Sequence, residues 1–368
     1  MSLNFYIPDS FRLYVEKASA GRNTVLYDIH GNPSVMVLLP KVNLEDIDPS
    51  LGTGVQPAFV RHGVEVGDVF VGKYKAAMVS GSAVSLPHLD PAIDMNFDEA
   101  AQAASAKGPG WHLMTNAEWA CLALEAWKAG SLPRGNTVAG KAHDAPEEEG
   151  VLTPDRITEE GVETPRTLTG SGPDSWNHDG TPFGVADMVG NVWEWNAGLR
   201  LIDGEIQIVP NNDAAVGGSI CDLVSSAWRA LMPDGTMVEP ATPGTLKFDG
   251  VEPGHSGNLG MPKLSTTTDN FLQRDSDEDA HLSGPFGSLG TDIPAPHYPL
   301  LKSLTIFPPD PEVTGGGVGL WARSFGERSV LRAGDYYHLH SSGIFCLNLN
   351  YGREAFGPHI GFRIAFCA

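Results

Sequence analysis

Gly184-Val-Ala-Asp-Met-Val-Gly-Asn-Val-Trp-Glu-Trp195 runs from a bend directly into an aromatic strand. Its two glycines favour a bend, and the Asp187 and Asn191 side chains can close turns on their own backbone. Trp193 and Trp195 sit two residues apart, so on a strand they share one face. Large aromatics dominate core burial, and that face is expected to pack inward. Glu194 points the other way, toward water or an arginine such as Arg332 or Arg363.

Upstream, Gly110-Trp-His-Leu-Met-Thr-Asn-Ala-Glu-Trp119 reads as the start of a helix. Thr115 and Glu118 have the spacing of a capping box, and Trp119, Leu122, Ala123 and Ala126 follow at helical spacing. The pattern predicts a helix over residues 115–129. A second is predicted over 96–106, with Asn96 and Glu99 in capping positions. Strands are expected at 69–74 and 192–195. Downstream, Val330-Leu-Arg-Ala-Gly-Asp-Tyr-Tyr-His-Leu-His340 leads to Ile360-Gly-Phe-Arg-Ile-Ala365.

These blocks resemble the C-type lectin fold in its formylglycine-generating-enzyme and sulfatase-modifying branch, whose members carry a similar Gly-Asn-Val-Trp-Glu-Trp block and end on Gly-Phe-Arg. The capped helix start is similar to the Arg-Leu-Pro-Thr-x-Ala-Glu-Trp of that branch. With the connecting sequence, the resemblance covers about residues 55–368. It implies an α+β fold with short strands, two main helices and long loop insertions. It says less about activity, because one scaffold hosts many unrelated sites.

With 368 residues, 41% of them hydrophobic, the chain has the size of two or three average domains or one elaborated one. Gly 43 and Pro 28 argue for many turns rather than a helical bundle. The net charge of −21 opposes nucleic acid or an anionic membrane surface as partner, since phosphate binding relies on Lys and Arg. The acidic runs at 147–149 and 275–279 read as solvated loops without the spacing of a calcium motif. Cys121, Cys221, Cys346 and Cys367 are too scattered for a disulfide framework or zinc site, and are expected as free, mostly buried thiols. No window reaches the ~18 apolar residues of a membrane helix, and no basic segment precedes an apolar one at the start. The expectation is a soluble protein made in the cytoplasm without a signal peptide, which could still act from a virion or cell surface.

By composition, residues 1–52 form a small β-rich N-terminal arm and 53–368 the lectin-type domain. Within the domain, 233–299 is rich in Gly, Pro, Ser, Thr and Asp and reads as a loop-rich insertion. Residues 140–175 form a second polar, Glu-rich stretch.

The resemblance to the formylglycine-generating enzymes implies a test. Their copper ion is held by two cysteines shortly after an Arg-Gly-Gly-Ser bend, because soft thiolates select the monovalent metal. Here the bend is Arg332-Ala-Gly-Asp335, and the thiol positions align with His338 and Gly343. The copper pair is therefore absent, and Cys346 alone reads as a core residue. The helical domain of the related iron-dependent sulfoxide synthases is also missing. His338 and His340 would share a face if extended, but two ligands without a third make a weak metal site. No cofactor is expected.

From Asp335 to Arg353 the chain uses no Lys, Glu, Gln, Met or Trp. Every type present is reachable from an AAY asparagine codon by changing its adenines. With the Gly343-Ile-Phe345, Leu347-Asn-Leu-Asn350 and Ile360-Gly-Phe-Arg363 arrangement, residues 320–368 resemble the C-terminal variable region of diversity-generating retroelement target proteins, a group often carried by phage or prophage. That resemblance implies a non-catalytic protein presenting a diversified surface to a macromolecular ligand, a protein or cell-surface receptor. Tyrosines suit such a surface because they offer rigid amphipathic area at low entropy cost. The expected ligand contacts are Asp335, Tyr336, Tyr337, His338, Leu339, His340, Tyr351, Arg353, Glu354, Phe356 and His359. The expected scaffold is Trp193, Trp195, Arg332, Gly334, Gly361, Phe362 and Arg363. The alternatives are an oxidoreductase of the formylglycine-generating type with an altered metal site, or a structural tail-tip component.

Overall fold

The structure, a computed structural model, describes residues 9–155, 157–158, 161–251, 260–270, 281–294, 297–314 and 317–368. The elements used below are numbered in chain order. They are α1 (Ser10–Ala18), β1 (Asn23–Tyr27), β2 (Pro33–Leu39), β3 (Val69–Gly72), α2 (Phe97–Ser105), β4 (Trp111–Leu113), α3 (Asn116–Ala129), β5 (Trp193–Ile202) and β6 (Glu205–Ile208). There follow β7 (Lys247–Gly250), β8 (Pro262–Ser265), β9 (Leu282–Pro285), β10 (Gly290–Thr291), β11 (Gly319–Ala322), β12 (Glu327–Ala333), β13 (Gly343–Leu349), β14 (Ile360–Phe362) and β15 (Ile364–Cys367).

Two sheets carry the fold. The smaller has the order β1-β2-β3-β15-β4, and the larger runs β9-β11-β13-β12-β5-β6-β7-β8-β10, with β14 added in parallel to β5. This α+β arrangement is the C-type lectin fold of the formylglycine-generating-enzyme type. Both predicted helices form, and both capping boxes close: Asn96 with Glu99, and Thr115 with Glu118. Ten of the fourteen residues of α3 are buried, and Trp119 Nε1 donates to the Ile344 carbonyl at 2.7 Å. The helix is thus bound to β13, where the chain supplies the C-terminal part of the core.

β5 is the centre. It pairs antiparallel with β12 on one side and with β6 on the other, the latter through a two-residue Asp203-Gly204 turn. Both turn residues have positive φ, 48° and 83°, which matches the right-handed twist of a hairpin. Near its start β5 also receives β14, with Ile360, Gly361 and Phe362 opposite Trp193, Glu194 and Trp195. Trp193 and Trp195 are buried on one face, as expected.

Two expectations from composition are corrected. The β-rich arm of residues 1–52 does not stand apart: β2 pairs with β3 from Met36↔Gly72 to Leu39↔Val69 and so extends the smaller sheet. Its apolar run, with Val35, Met36, Val37 and Leu39 buried, needs cover on both faces and finds it in the main body. The segment also contains α1, capped by Asp9, whose carboxylate accepts from the Arg12 amide at 2.9 Å. The loop-rich insertion of 233–299 likewise contributes β7 to β10, and buries Phe248, Leu264, Leu282 and Phe286. One or two apolar residues per short strand leave no visible run in the sequence. The acidic run 275–279 lies outside the described residues. Among the described residues no helix is long and apolar enough to cross a membrane.

Candidate functional site

The site is built on a buried polar frame. Glu194 accepts from Arg363 Nε and Nη2, both at 2.9 Å, and from Lys75 Nζ at 2.6 Å. Arg363 donates further to the carbonyls of Gly72, Lys73 and Ala186, and Lys75 to that of Val192. All three side chains are fully buried. Burial works against the Glu194 charge, but the guanidinium and then the ammonium outweigh it and hold the carboxyl below its usual value. The triad ties β5 to the end of β3 and to the junction of β14 and β15. Of the partners considered for Glu194, Arg363 is the one it meets.

Arg332 has a different environment. Its Nε and Nη2 share Asn116 Oδ1 at 3.1 and 2.6 Å, and its remaining donors reach the Cys346 and Thr305 carbonyls. It is fully buried without a carboxylate, and burial lowers its pKa to about 9. Immediately after it, Ala333 (φ 84°) and Gly334 (φ 83°) reverse the chain. A Cβ on Gly334 would collide with Ser342, so this position takes no side chain.

The turn residues of the central block act at longer range than on their own backbone. Asn191 accepts from the Thr167 amide at 2.8 Å and donates to the Thr167 carbonyl at 3.0 Å, while Asp187 accepts from the Gly170 amide at 2.7 Å. They therefore fasten the Glu-rich 140–175 stretch to the frame. In that stretch Glu148 is half-buried and accepts from Trp176 Nε1 at 3.0 Å, so the 147–149 run is only partly solvated.

Over this frame the chain presents two surface segments, separated by β13, which is buried throughout. The first, residues 337–341, is a 3-10 turn rather than an extended strand, so His338 and His340 do not share a strand face. The His338 ring packs edge-on against Trp193 (5.2 Å) and Trp321 (5.5 Å), and its Nδ1 meets Asp335 Oδ1 at 2.6 Å. The second segment, residues 350–359, returns beside it: His359 lies 6.5 Å from the Tyr351 ring, and its carbonyl accepts from the Trp193 amide. Burial lowers the His359 pKa.

The expected ligand contacts divide into three sets. Tyr337, Leu339, His340, Glu354 and Phe356 are exposed, Phe356 at 67%. His338, Tyr351 and His359 are half-buried beside one another. Asp335 and Tyr336 are buried, and Arg353 is engaged, so these three correct the expectation. Asp335 accepts from the Tyr337 amide and from His338, and Tyr336 places its hydroxyl 3.4 Å from the Pro358 carbonyl. Arg353 grips Asp98 with two bonds of 3.1 and 2.6 Å and lies over the Phe97 ring, stapling the segment to α2. The scaffold residues Trp193, Trp195, Arg332, Phe362 and Arg363 are all buried.

Sequence reasoning missed the rim. Tyr337 donates its hydroxyl to the Glu163 carbonyl at 2.9 Å, and the Leu339 amide bonds to the Thr137 carbonyl. Ile157 and Val162, in the same 137–167 stretch, are about 60% exposed. Next to it a cleft of about 440 Å³ is lined by Ile93, Asp94, Ile157, Arg166 and Pro358 among others. The signal was there in outline, as isolated apolar residues within a Glu-rich run, but nothing local joins them to residue 337. The four cysteines are free and buried, and among the described residues no three His, Cys, Asp or Glu side chains cluster as metal ligands would.

These features define an α+β domain of C-type lectin type whose buried frame carries an exposed, aromatic-rich C-terminal face. Residues 57–229 match the family described as sulfatase-modifying factor enzyme 1-like domain. No curated protein matches the chain. Among solved structures, PvdO from Pseudomonas aeruginosa aligns with 14% identity and a TM-score of 0.37, covering 94% of this chain and 98% of that one. Treponema denticola variable protein 1 aligns with 10% identity and a TM-score of 0.32, covering 94% and 99%. At these scores neither likeness bears on function.

Proposed function

We propose that this protein is a non-catalytic ligand-binding protein whose C-terminal face is diversified by a retroelement and binds a macromolecule, a protein or cell-surface receptor, in a phage or prophage setting. The observation that carries the reading is the separation of face from frame. Tyr337, Leu339, His340, Glu354 and Phe356 point outward from two segments whose backbone is fixed by buried groups elsewhere. Side chains placed in this way can change without disturbing what holds them. Exposed Tyr, Leu and Phe beside adaptable His residues also have the composition of a binding surface with hot spots. His338, Tyr351 and His359 form the half-buried middle of the patch, and Ile157 and Val162 add a rim from outside the variable region.

An oxidoreductase of the formylglycine-generating type needs a second thiol beside Cys346. That residue lies buried in β13, where burial pushes its thiol far up, away from the reactive thiolate. The test is genetic and then biochemical. DNA adjoining the gene is expected to hold a near-copy of the codons for residues 320–368, differing at template adenines, beside a reverse transcriptase. A library varied at 337, 339, 340, 354 and 356 is expected to yield folded binders to new proteins. If no near-copy exists and the library members unfold, the reading fails.

A further inference from the structure

A second cavity, of about 270 Å³, uses none of the residues of the C-terminal face. Its apolar lining comes from Leu38 and Leu39 of β2 and Ala126 of α3, with the exposed Ala129 at its edge. Its wall is polar: Glu125 from α3, His178 and Asp179 from the loop leading to Phe183, and Arg22 from the turn before β1.

These polar groups are unequally satisfied. Asp179 accepts from the Thr181 amide and hydroxyl and from Arg22 at 3.3 Å, and the Arg22 guanidinium lies over the Phe183 ring at 4.7 Å. His178 Nδ1 accepts from the Val185 amide at 2.8 Å, which assigns the ring proton to Nε2. That Nε2–H faces Glu125 Oε2 at 4.0 Å, beyond hydrogen-bond reach, although the His178 side chain is more than nine-tenths buried. Among the described residues Glu125 has no closer polar partner. The Glu125 side chain is 22% exposed, so its carboxyl opens into the cavity, and with the His178 N–H directed at the same carboxyl the group still missing there is a cationic donor.

We propose that this cavity binds an alkylammonium group, a primary amine on a short apolar stem. An ammonium offers three donors and no acceptor, which suits the open carboxylate, while its methylenes lie on Leu38, Ala126 and Ala129. An anion fits poorly. The Arg22 charge is already spent on Asp179, and Lys73 turns its ammonium to the Pro182 and Gly184 carbonyls at 2.8 and 2.7 Å. The amine could belong to a free small molecule or to a lysine side chain of a partner. Both present the same chemistry.

The groups acting on Glu125 are His178, Asp179 and Lys128, with Arg22 and Lys73 behind them. Burial and then Asp179 push the Glu125 carboxyl up to about 7, and burial takes His178 down to about 4. Near neutrality Glu125 is thus poised between its two protonation states. A bound ammonium favours the carboxylate and expels the proton.

Calorimetry with n-butylammonium on the full chain tests this, with n-butanol as the uncharged control. Binding is expected to be about thirtyfold tighter at pH 8 than at pH 5.5, following the ionised fraction of a carboxyl with a pKa near 7. At pH 7, titrations in two buffers of different ionisation heat should show release of about half a proton. Glu125→Gln keeps the shape and should lose at least about tenfold in affinity, together with the proton release. Ala129→Leu narrows the cavity at its edge and should weaken binding while the pH dependence persists. Melting curves identify any variant that is simply unfolded. A lysine peptide and its acetylated form then separate the two sources: discrimination between them points to a partner's lysine, and butylammonium binding alone points to a free amine. Equal binding of n-butanol, or unchanged binding by Glu125→Gln, overturns the proposal.

Discussion

The frame around Glu194 and the turn around Tyr337 are both made of polar and aromatic residues, yet they are opposite kinds of structure. In the frame, Glu194, Arg363, Lys75 and Arg332 are fully buried, and each is hydrogen-bonded to elements distant in sequence. In the turn, the backbone is held and the side chains of Tyr337, Leu339 and His340 are exposed, with the Tyr337 hydroxyl donating to the Glu163 carbonyl at the rim. Buried charge is costly unless fully paired, so frame positions tolerate little change, whereas exposed positions are close to neutral. The division does not follow the boundaries of the C-terminal segment proposed to vary. Asp335, Tyr336 and Arg353 lie inside that region and belong to the frame.

The largest effect should come from the triad. Glu194→Gln leaves Arg363 and Lys75 facing a neutral group and is expected to cost about 3–5 kcal/mol in chemical denaturation. The same variant has a pH signature. The folded Glu194 carboxyl is held below its usual value of 4.5, so its contribution is complete above that pH and is lost as pH falls through the folded value. The acid limb of the stability curve should therefore be shallower in Glu194→Gln than in the wild type, and an unchanged limb would show that the triad is not what acid disrupts. Trp195→Ala, which removes the ring packed on Phe97 at 6.0 Å, should cost a similar ~3–5 kcal/mol.

Next comes the pair that sharpens the comparison most directly. Tyr336→Ser should destabilise by about 2–4 kcal/mol, and Tyr337→Ser by no more than about 0.5 kcal/mol. If the two neighbours cost the same, the boundary between frame and face is misplaced. Arg353→Ala should fall between them, near ~1 kcal/mol, because its Asp98 partner is 62% exposed and solvent weakens the pair. The smallest effect per residue is expected when Leu339, His340, Glu354 and Phe356 are replaced together, with stability changed by about 1 kcal/mol or less over all four while the binding of any selected ligand is lost.

The helices and the central strand were legible because their signals are local. Capping boxes at Asn96 and Thr115 span four residues, and the alternation of Trp193 and Trp195 needs only three. The N-terminal strands were legible as strands, but their place in the sheet depended on Val69–Gly72 and on β15 at the far end of the chain. The strands within 233–299 were not legible, since each buries too few apolar residues to form a run. Of the residues expected to contact ligand, the structure leaves Tyr337, Leu339, His340, Glu354 and Phe356 exposed on two surface segments. Sequence could not separate Tyr336 from Tyr337, because in an irregular turn adjacent residues are sorted by backbone direction rather than by period.

The sequence by itself determined the α+β lectin-type scaffold, the two capped helices, the aromatic strand and the absence of a cysteine pair after the Arg332 bend. These follow from spacing, propensity and residue type, which act over a few bonds. Tertiary structure alone decided which acid meets which base, how residues 137–167 come to rim the C-terminal face, and that Glu125 and His178 open into one cavity. Those facts depend on groups far apart in sequence, as in Arg363 reaching the Gly72 carbonyl 291 residues away. Such contacts are settled only when the whole core closes and every buried polar group must find a partner.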